Sequence, residues 1–454
     1  MEKKLEKIVS LAKRRGFIFQ SSEIYGGVEG LWDLGPLGIL MKNNIKNLWI
    51  KKFVMEKENI FLIEGTCLMH PKVWEASGHL EHFSDLLVEC KNCHYRYRAD
   101  HLAEGKFIGK GKASQKDQCP NCGGKSFTEP RKFNLMFKTF LGPVEDKAHQ
   151  TYLRPETAQS MFTNFKNVLN SMRAKIPFGI AQIGKSFRNE ITLGDFIFRL
   201  REFEIAEIEY FVRPEDENEF FEFWVREWEN FFLSLGIKKE NLRRVEHPKE
   251  SLAHYSKRTV DIEYRFPFGW AELAGIANRG NYDLKRHSQF SGEDLSYFDQ
   301  KEKRKYFPSV IEPTMGLERI ILALLLDAYE EIPGGRTKTT KPTKEVEILL
   351  RLDKKVAPIK VAVLPLVKNE PKIVEKARNI YEILRPHFFC LYDEVDSIGR
   401  RYRRMDEIGV PFCLTIDFES LEKDDLTVRD RDTMEQERIS VSNLIEFLKE
   451  KLQN

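Results

Sequence analysis

Two cysteine pairs, Cys90-x-x-Cys93 and Cys119-x-x-Cys122, carry the sharpest chemical signal in the chain. Each Cys-x-x-Cys lets two thiolates reach one ion from a tight turn, and four thiolates suit tetrahedral Zn²⁺. The stretch between the pairs is longer than in most such ribbons, but its Lys- and Gly-rich middle can loop out. A complete Cys₄ shell leaves no open position, so the expected ion is structural rather than catalytic. Cys67, Cys390 and Cys413 lie in apolar stretches and read as ordinary buried thiols.

A second constellation is Arg188-Asn189-Glu190, a loop near Gly194, and then Phe198-Arg199-Leu200-Arg201-Glu202-Phe203-Glu204-Ile205-Ala206-Glu207. If this is a hairpin, strand period puts Arg199, Arg201, Phe203, Ile205 and Glu207 on one face. Guanidinium forks bind phosphate oxygens in pairs, and a ring can stack on a nucleobase or on an arginine plane. A charged, solvated hairpin would use the same residues. The neighbouring Gly179-Ile180-Ala181-Gln182-Ile183-Gly184-Lys185-Ser186 matches the P-loop pattern letter for letter. That chemistry requires a glycine loop opening a helix. Phe178, Ile180, Ile183 and Phe187 instead read as a strand running through the motif, and no helical stripe follows. The match is therefore taken as chance.

The elements that would hold these groups are legible from periodicity. Leu5, Ile8, Val9 and Ala12 at helical spacing, with Gly16 beyond them, predict an N-terminal helix rather than a signal peptide. Residues 36–54 predict a long helix with Pro36 in its first turn, followed by a strand at Asn59–Ile63. A helix is expected over 155–172, strands from Phe178 to Val212, an aromatic-rich helix over 214–235, and strands near Val260–Phe266 and Trp270–Ala277. A strand at Val310–Ile311 should lead into a helix with Leu317, Ile320, Ile321, Leu324 and Leu325 as its core face. Pro333–Lys344, rich in Gly, Thr, Lys and Pro, reads as a flexible loop. Beyond it strands and helices alternate as in a small α/β domain.

The chain of 454 residues has room for two or three cores, and its charged fraction of 31% is ordinary for a globular protein. No apolar run reaches bilayer length. These features predict a cytoplasmic protein without a membrane partner. The net charge of only +3 excludes a broadly basic nucleic-acid binder and leaves local patches. One is Arg400, Arg401, Arg403 and Arg404, followed by Asp406 and Glu407. It reads either as a salt-bridged helix surface or as a phosphate contact.

Phe187-Arg188-Asn189-Glu190 with its following strand resembles motif 2 of the class II aminoacyl-tRNA synthetases. Gly316-Leu317-Glu318-Arg319 resembles motif 3, and the 36–54 helix with its strand and Pro71 resembles motif 1, the dimer-forming element. Within that class the chain resembles the homodimeric glycyl-tRNA synthetases. The matching blocks are Trp32 to Gly38, His70 to His79, Phe133 to Phe137, Leu153 to Gln159, Glu272-Leu273, Gly275 to Ala277 and Glu312-Pro313. Residues Ser397 to Arg404 and Thr427 to Met434 resemble that family's anticodon-binding domain.

The resemblance implies an α+β architecture. An antiparallel-sheet catalytic domain over 1–345 would carry a zinc-binding insertion at about 88–128, and a linker over 346–356 would lead to an α/β anticodon-binding domain over 357–454. It implies ATP, glycine and tRNA(Gly) as partners, Mg²⁺ with ATP, structural Zn²⁺ and a homodimer. Arg188, Glu190 and Arg319 would be catalytic. ATP would be bound by Arg188-Asn189-Glu190, by Phe198-Arg199-Leu200-Arg201-Glu202-Phe203, by Glu272-Leu273 and by Gly316-Leu317-Glu318-Arg319. Phe203 would stack on adenine, and Arg188 and Arg319 would meet the α- and γ-phosphates. Glycine would contact Arg98, Glu156, Phe203-Glu204-Ile205-Ala206-Glu207 and Glu312-Pro313-Thr314-Met315-Gly316. Its ammonium would be held by Glu156, Glu207 and Glu312. Glu156 also reads as a helix-start acid complementing the dipole. Thr314 stands where the family usually has serine, and Met315 and Ala271 also depart from its pattern. Larger amino acids can be refused by bulk alone, so no editing domain is required. A synthetase for another small amino acid would lack the carboxylate set, and a non-catalytic paralogue would be expected to lose Arg188, Glu190 or Arg319.

Overall fold

The computed structural model describes residues 2–105, 116–193, 195–336 and 346–453. Gly194, the middle of the cysteine insertion and most of the Pro333–Lys344 segment lie outside the described residues. Seven strands form the main sheet, in the order Leu242–Glu246, Arg258–Phe266, Gly269–Gly280, Ser309–Gly316, Glu202–Val212, Phe178–Phe187 and Ile60–Leu62. All neighbours run antiparallel except the short last strand, which is parallel to Phe178–Phe187. The P-loop look-alike lies wholly inside Phe178–Phe187, as its alternation predicts. Its Gly184 serves packing, because a Cβ there would collide with the guanidinium of buried Arg154. That guanidinium donates to the Lys185 and Gly65 carbonyls, both at 2.7 Å.

The two faces of Glu202–Val212 do different work. Ala206, Ile208, Tyr210 and Val212 pack into the main core beneath the helices Pro36–Ile50, Glu217–Ser234 and Leu317–Ala328. Phe211 faces the other way, into a smaller core with Phe178, Ile180, Phe162 and Phe165. The predicted 36–54 helix is α-helical to Ile50 and continues as a π-helical turn over Lys51–Met55. Its Trp49 and Phe53 lock against Trp228 of Glu217–Ser234, with ring centroids 6.4 and 4.5 Å away. The expected 155–172 helix is two, Ala158–Thr163 and Phe165–Ser171, broken at Asn164.

The insertion is a three-stranded sheet, Arg96–Arg98, Ser84–Glu89 and Arg131–Asn134, with the cysteine turns at its tip. The C-terminal domain is a five-stranded sheet in the order Cys390–Tyr392, Val361–Pro365, Phe412–Ile416, Asp425–Asp430 and Gln436–Ser440. Its first three strands are parallel. The segment expected as a linker is built structure: Val346–Leu350 pairs antiparallel with Tyr329–Pro333. Arg336 bonds both Glu347 (3.0 Å) and buried Asp406 (2.6 Å), and Arg14 and Arg15 reach Glu407 of the C-terminal domain at 2.9 and 2.8 Å.

Trp228→Ala removes the ring at the centre of the aromatic lock. It should destabilise the fold by about 3–5 kcal/mol, read as a lowered denaturant midpoint.

Candidate active site

The sheet face opposite the main core holds two adjoining regions. The first is a cleft of about 120 Å³ lined by Arg188, Glu190, Phe198, Arg199, Leu200, Phe203, Ile205, Glu272, Thr314, Met315, Gly316, Glu318 and Arg319. Every residue of the helix Leu317–Ala328 is buried except Arg319. That side chain is therefore the one the helix turns to the cleft. It pairs with Glu272 (3.0 Å), donates to the Phe198 carbonyl (3.1 Å) and lies 4.5 Å over the Phe198 ring. The Arg188 guanidinium sits between the rings of Phe83 and Phe203, 5.4 Å from each centroid, and its Nε donates to the Pro155 carbonyl. Burial in the cleft raises the Glu272 carboxyl, but the charges of Arg319, Arg188 and Arg199 outweigh it and hold the group below its ordinary pKa. Desolvation lowers Arg199. A cleft with three converging guanidiniums and two aromatic faces suits a nucleotide polyphosphate.

The second region is acidic and closed. Glu207 and Glu209 from one strand and Glu312 from the next place their carboxyl oxygens within 4.8 Å of one another. Glu156 lies beside them, bonded to His79 (3.2 Å) and Gln159 (2.9 Å). Thr157 donates its hydroxyl to Glu207, and Thr314 also hydrogen-bonds that carboxyl. Arg279 is fully buried and donates to Asp283 (2.8 Å, twice) and to Glu312 (2.5 Å). Burial pushes Glu312 up to about 8 against the pull of Arg279. Burial and the Glu156 charge raise Glu207. Glu156 goes the other way: burial would raise it, but His79, Arg279 and Gln159 together hold it low. A compact anionic hollow of this kind suits a small cation such as an α-ammonium group. The two regions meet at Thr314 and Ile205.

Several expected residues sit elsewhere. Residues 188–193 and 195–201 are not strand, so the one-face pattern begins only at Phe203. Arg201 turns to the Glu29 carbonyl at 2.6 Å, and Glu202 pairs with Lys185 in solvent. The Asn189 backbone N–H donates to Leu135. Glu204 faces the helical layer, salt-bridged to Lys42 (2.7 Å) and Lys46 (2.6 Å). Ala206, Leu273 and Leu317 are core residues, and Pro313 is buried in its strand. Glu318 accepts from the Glu204 N–H at 3.0 Å and lies 3.4 Å from Lys42. It ties three elements together and still lines the cleft wall. Arg98 is held by Asp85 (3.0 Å) and Asp100 (2.8 Å), close enough to Glu190 for their charges to couple. Glu156 does not cap a helix, because Ala158–Thr163 starts after it. The methyl that distinguishes Thr314 from serine lies 4.0 Å from where a Gly275 Cβ would be, so it fills room that glycine leaves.

Arg279, Asp283, His79 and Glu209 were not singled out. For Glu209 and Arg279 the signal was there: each continues the two-residue period of a strand already assigned to the site, after Glu207 and after Gly275 and Ala277. Asp283 and His79 come from separate helices, and only the fold brings them in.

The four expected cysteines converge. Sγ of Cys90 and Cys122, and of Cys93 and Cys119, are 3.6 Å apart, and all four lie within 4.8 Å. Thiolates on a tetrahedral ion at about 2.3 Å stand about 3.8 Å apart, so the set is compatible with zinc. The Tyr97 hydroxyl lies 3.4 Å from Cys119 Sγ. In the helix Ile398–Glu407, Arg401 is buried against the Pro365 and Leu366 carbonyls, and Arg404 pairs with Asp393 and Asp396 at 2.7 Å. Arg404 fits the salt-bridged reading, and Arg401 is committed to backbone carbonyls rather than to phosphate.

Two family profiles match the chain: the tRNA synthetase class II core domain (G, H, P, S and T) over residues 117–329, and the anticodon binding domain over residues 360–451. A glycine–tRNA ligase of Thermobifida fusca (strain YX) is 52% identical over 99% of this chain and 98% of its own. That of Geobacillus kaustophilus (strain HTA426) is 51% identical over 99% of each. That of Streptomyces coelicolor is 50% identical over 99% of this chain and 98% of its own.

Arg279→Met leaves Asp283 and Glu312 buried without their cation and should cost about 3–5 kcal/mol. A buried carboxyl with no cation has a raised pKa, so this loss should shrink as pH falls and deepen as it rises. Denaturant melts at about pH 5 and about pH 8 check both the size and the sign.

Proposed function

We infer the reaction from the premise that this chain belongs to the glycine–tRNA ligase family. It activates glycine with ATP to glycyl-adenylate and pyrophosphate, then transfers glycine to the 3′ end of tRNA(Gly). The observation that carries the assignment of parts is the junction of two regions on one sheet face. A guanidinium-lined cleft opens at Thr314 onto a closed set of carboxylates.

The glycine ammonium is assigned to Glu156, Glu207 and Glu312, which leaves its carboxylate pointing along the cleft towards the phosphates. That carboxylate attacks the α-phosphorus of ATP in line with the departing pyrophosphate. No covalent link to the enzyme is needed, so catalysis is positioning and charge stabilisation. Arg188 is assigned to the α-phosphate, braced by its bond to Pro155. Arg319 is assigned to the γ-phosphate, released from Glu272 as the nucleotide enters. Glu190 and Arg199 would complete the phosphate shell, and Phe203 would carry the adenine. Glu272 would help to hold Mg²⁺, which neutralises charge on the phosphates.

The Cys90, Cys93, Cys119 and Cys122 set is assigned a structural Zn²⁺ that keeps the tip of the insertion folded. The C-terminal domain is assigned to the anticodon stem and loop. The enzyme is read as a cytoplasmic homodimer. The motif 1 resemblance and the exposed Met55, Leu62 and Leu68 near that element support dimerisation. Among the described residues no helix is long and apolar enough to cross a membrane.

Glycine-dependent ATP–pyrophosphate exchange tests the assignment. Arg188→Ala and Arg319→Ala should each lower the rate by about 10²–10³-fold, the weight of one preorganised charge donor, with melting unchanged. Near-normal exchange in either refutes its role. Chelation of zinc should make the insertion protease-sensitive, and full resistance after metal removal would refute the structural assignment. Sedimentation as a monomer at micromolar concentration would refute the dimer.

A further inference from the structure

Glu209 is the member of the acidic set to which the proposed reaction gives no task. It lies two residues beyond Glu207 on the same strand face. The register pairs Glu207 with Thr314 and Tyr210 with Ile311, which sets Glu209 opposite Glu312. Like charges facing each other across two strands repel. Glu209 is 0% exposed and Glu312 only 6%, and their oxygens lie within 4.8 Å together with those of Glu207. No hydrogen-bond donor reaches either carboxyl oxygen of Glu209 among the described residues. An ionised carboxylate left in that state would cost several kcal/mol.

The charged groups that face Glu209 are Glu207 on its own strand, Glu312 on the neighbouring one, Arg279 from the strand beyond and Asp283 from the helix Tyr282–Ser291. Arg279 is the cation of this set, and it already serves Asp283 and Glu312. Two carboxyls this close can share the space if one keeps a proton and donates it to the other.

We propose that Glu209 is a positioning residue of the glycine site that keeps its proton at neutral pH and donates it to the Glu312 carboxylate. That hydrogen bond, together with the one from Arg279, works against the burial that raises Glu312 and favours its ionised form facing the ammonium. The proposal rests on the reading of Glu312 as an ammonium ligand. Burial, reinforced by the Glu312 charge, holds the Glu209 carboxyl well above the ordinary carboxylate range.

The test compares three variants of the full-length enzyme in pyrophosphate exchange, with melting followed alongside. Glu209→Leu keeps bulk without a donor, Glu209→Gln keeps a donor without an ionisable proton, and Glu312→Gln removes the acceptor's charge. Glu209→Leu should raise the KM for glycine by about tenfold or more, the weight of one hydrogen bond to a charged group, with the KM for ATP unmoved. Glu209→Gln should bring the glycine KM back to within about threefold of the parent. A Gln variant as impaired as the Leu variant overturns the proposal, because an ionised carboxylate, or a divalent cation bound by it, is then required. A Leu variant with parental glycine KM also overturns it, and if Glu312→Gln is still impaired the ammonium assignment stands alone. If Glu209→Leu does not fold, the infrared difference between the parent and Glu209→Gln decides. It should contain the C=O stretch of a protonated carboxyl, and its absence overturns the proposal.

Discussion

Glycine offers a protein an ammonium, a carboxylate and very little volume, so a site that selects it must concentrate negative charge where almost nothing else fits. In the proposed site that charge comes from Glu156, Glu207 and Glu312, with Glu209 beside them, on a buried sheet face. Crowding carboxylates in low dielectric is costly. The structure offsets it with Arg279, which is buried and shared between Asp283 and Glu312, and with His79, which sits on Glu156. These groups come from three strands, two helices and the loop before Ala158–Thr163, so the cluster exists only once the catalytic domain has folded.

Holding the cleft open to that hollow is a separate task. Lys42 of the long Pro36–Ile50 helix meets Glu204 of one site strand and Glu318 of the helix that presents Arg319. Glu318 in turn accepts from the Glu204 backbone. The triad joins the element expected at the dimer face to both cleft-lining elements, with Glu318 reaching the cleft wall. The aromatic lock of Trp49, Phe53 and Trp228 fixes the same helix from its far end. On the other side of the molecule, Arg14, Arg15 and Arg336 join the body to Asp406 and Glu407, which places the C-terminal domain firmly against the catalytic one.

Much of this was legible in the sequence, for identifiable reasons. The cysteine pairs, the strand through the P-loop look-alike and the apolar helix after Gly316 are local patterns, and local patterns survive folding. Carrying the block Phe203 to Glu207 over whole to the ligand was too coarse, because strand alternation sends Glu204 and Ala206 to the opposite face. Placing Arg199 and Arg201 on a strand failed because residues 195–201 are irregular, and Arg201 finds the Glu29 carbonyl instead. The arginines of Ile398–Glu407 read either as a salt-bridged surface or as a phosphate contact, and Arg400 and Arg404 find their acidic partners Asp393 and Asp396 just upstream of the helix. Asp283 and His79 had no local mark at all.

The central claim is that the carboxylate hollow reads the ammonium while its closure refuses bulk. Pyrophosphate exchange with glycine, alanine and glycolate, the last carrying a hydroxyl where glycine has its ammonium, tests it directly. The account predicts exchange with glycine and background rates with the other two. Exchange with glycolate at a rate near that of glycine would show that the ammonium is not what the site recognises. Comparable exchange with alanine would show that the hollow is not closed.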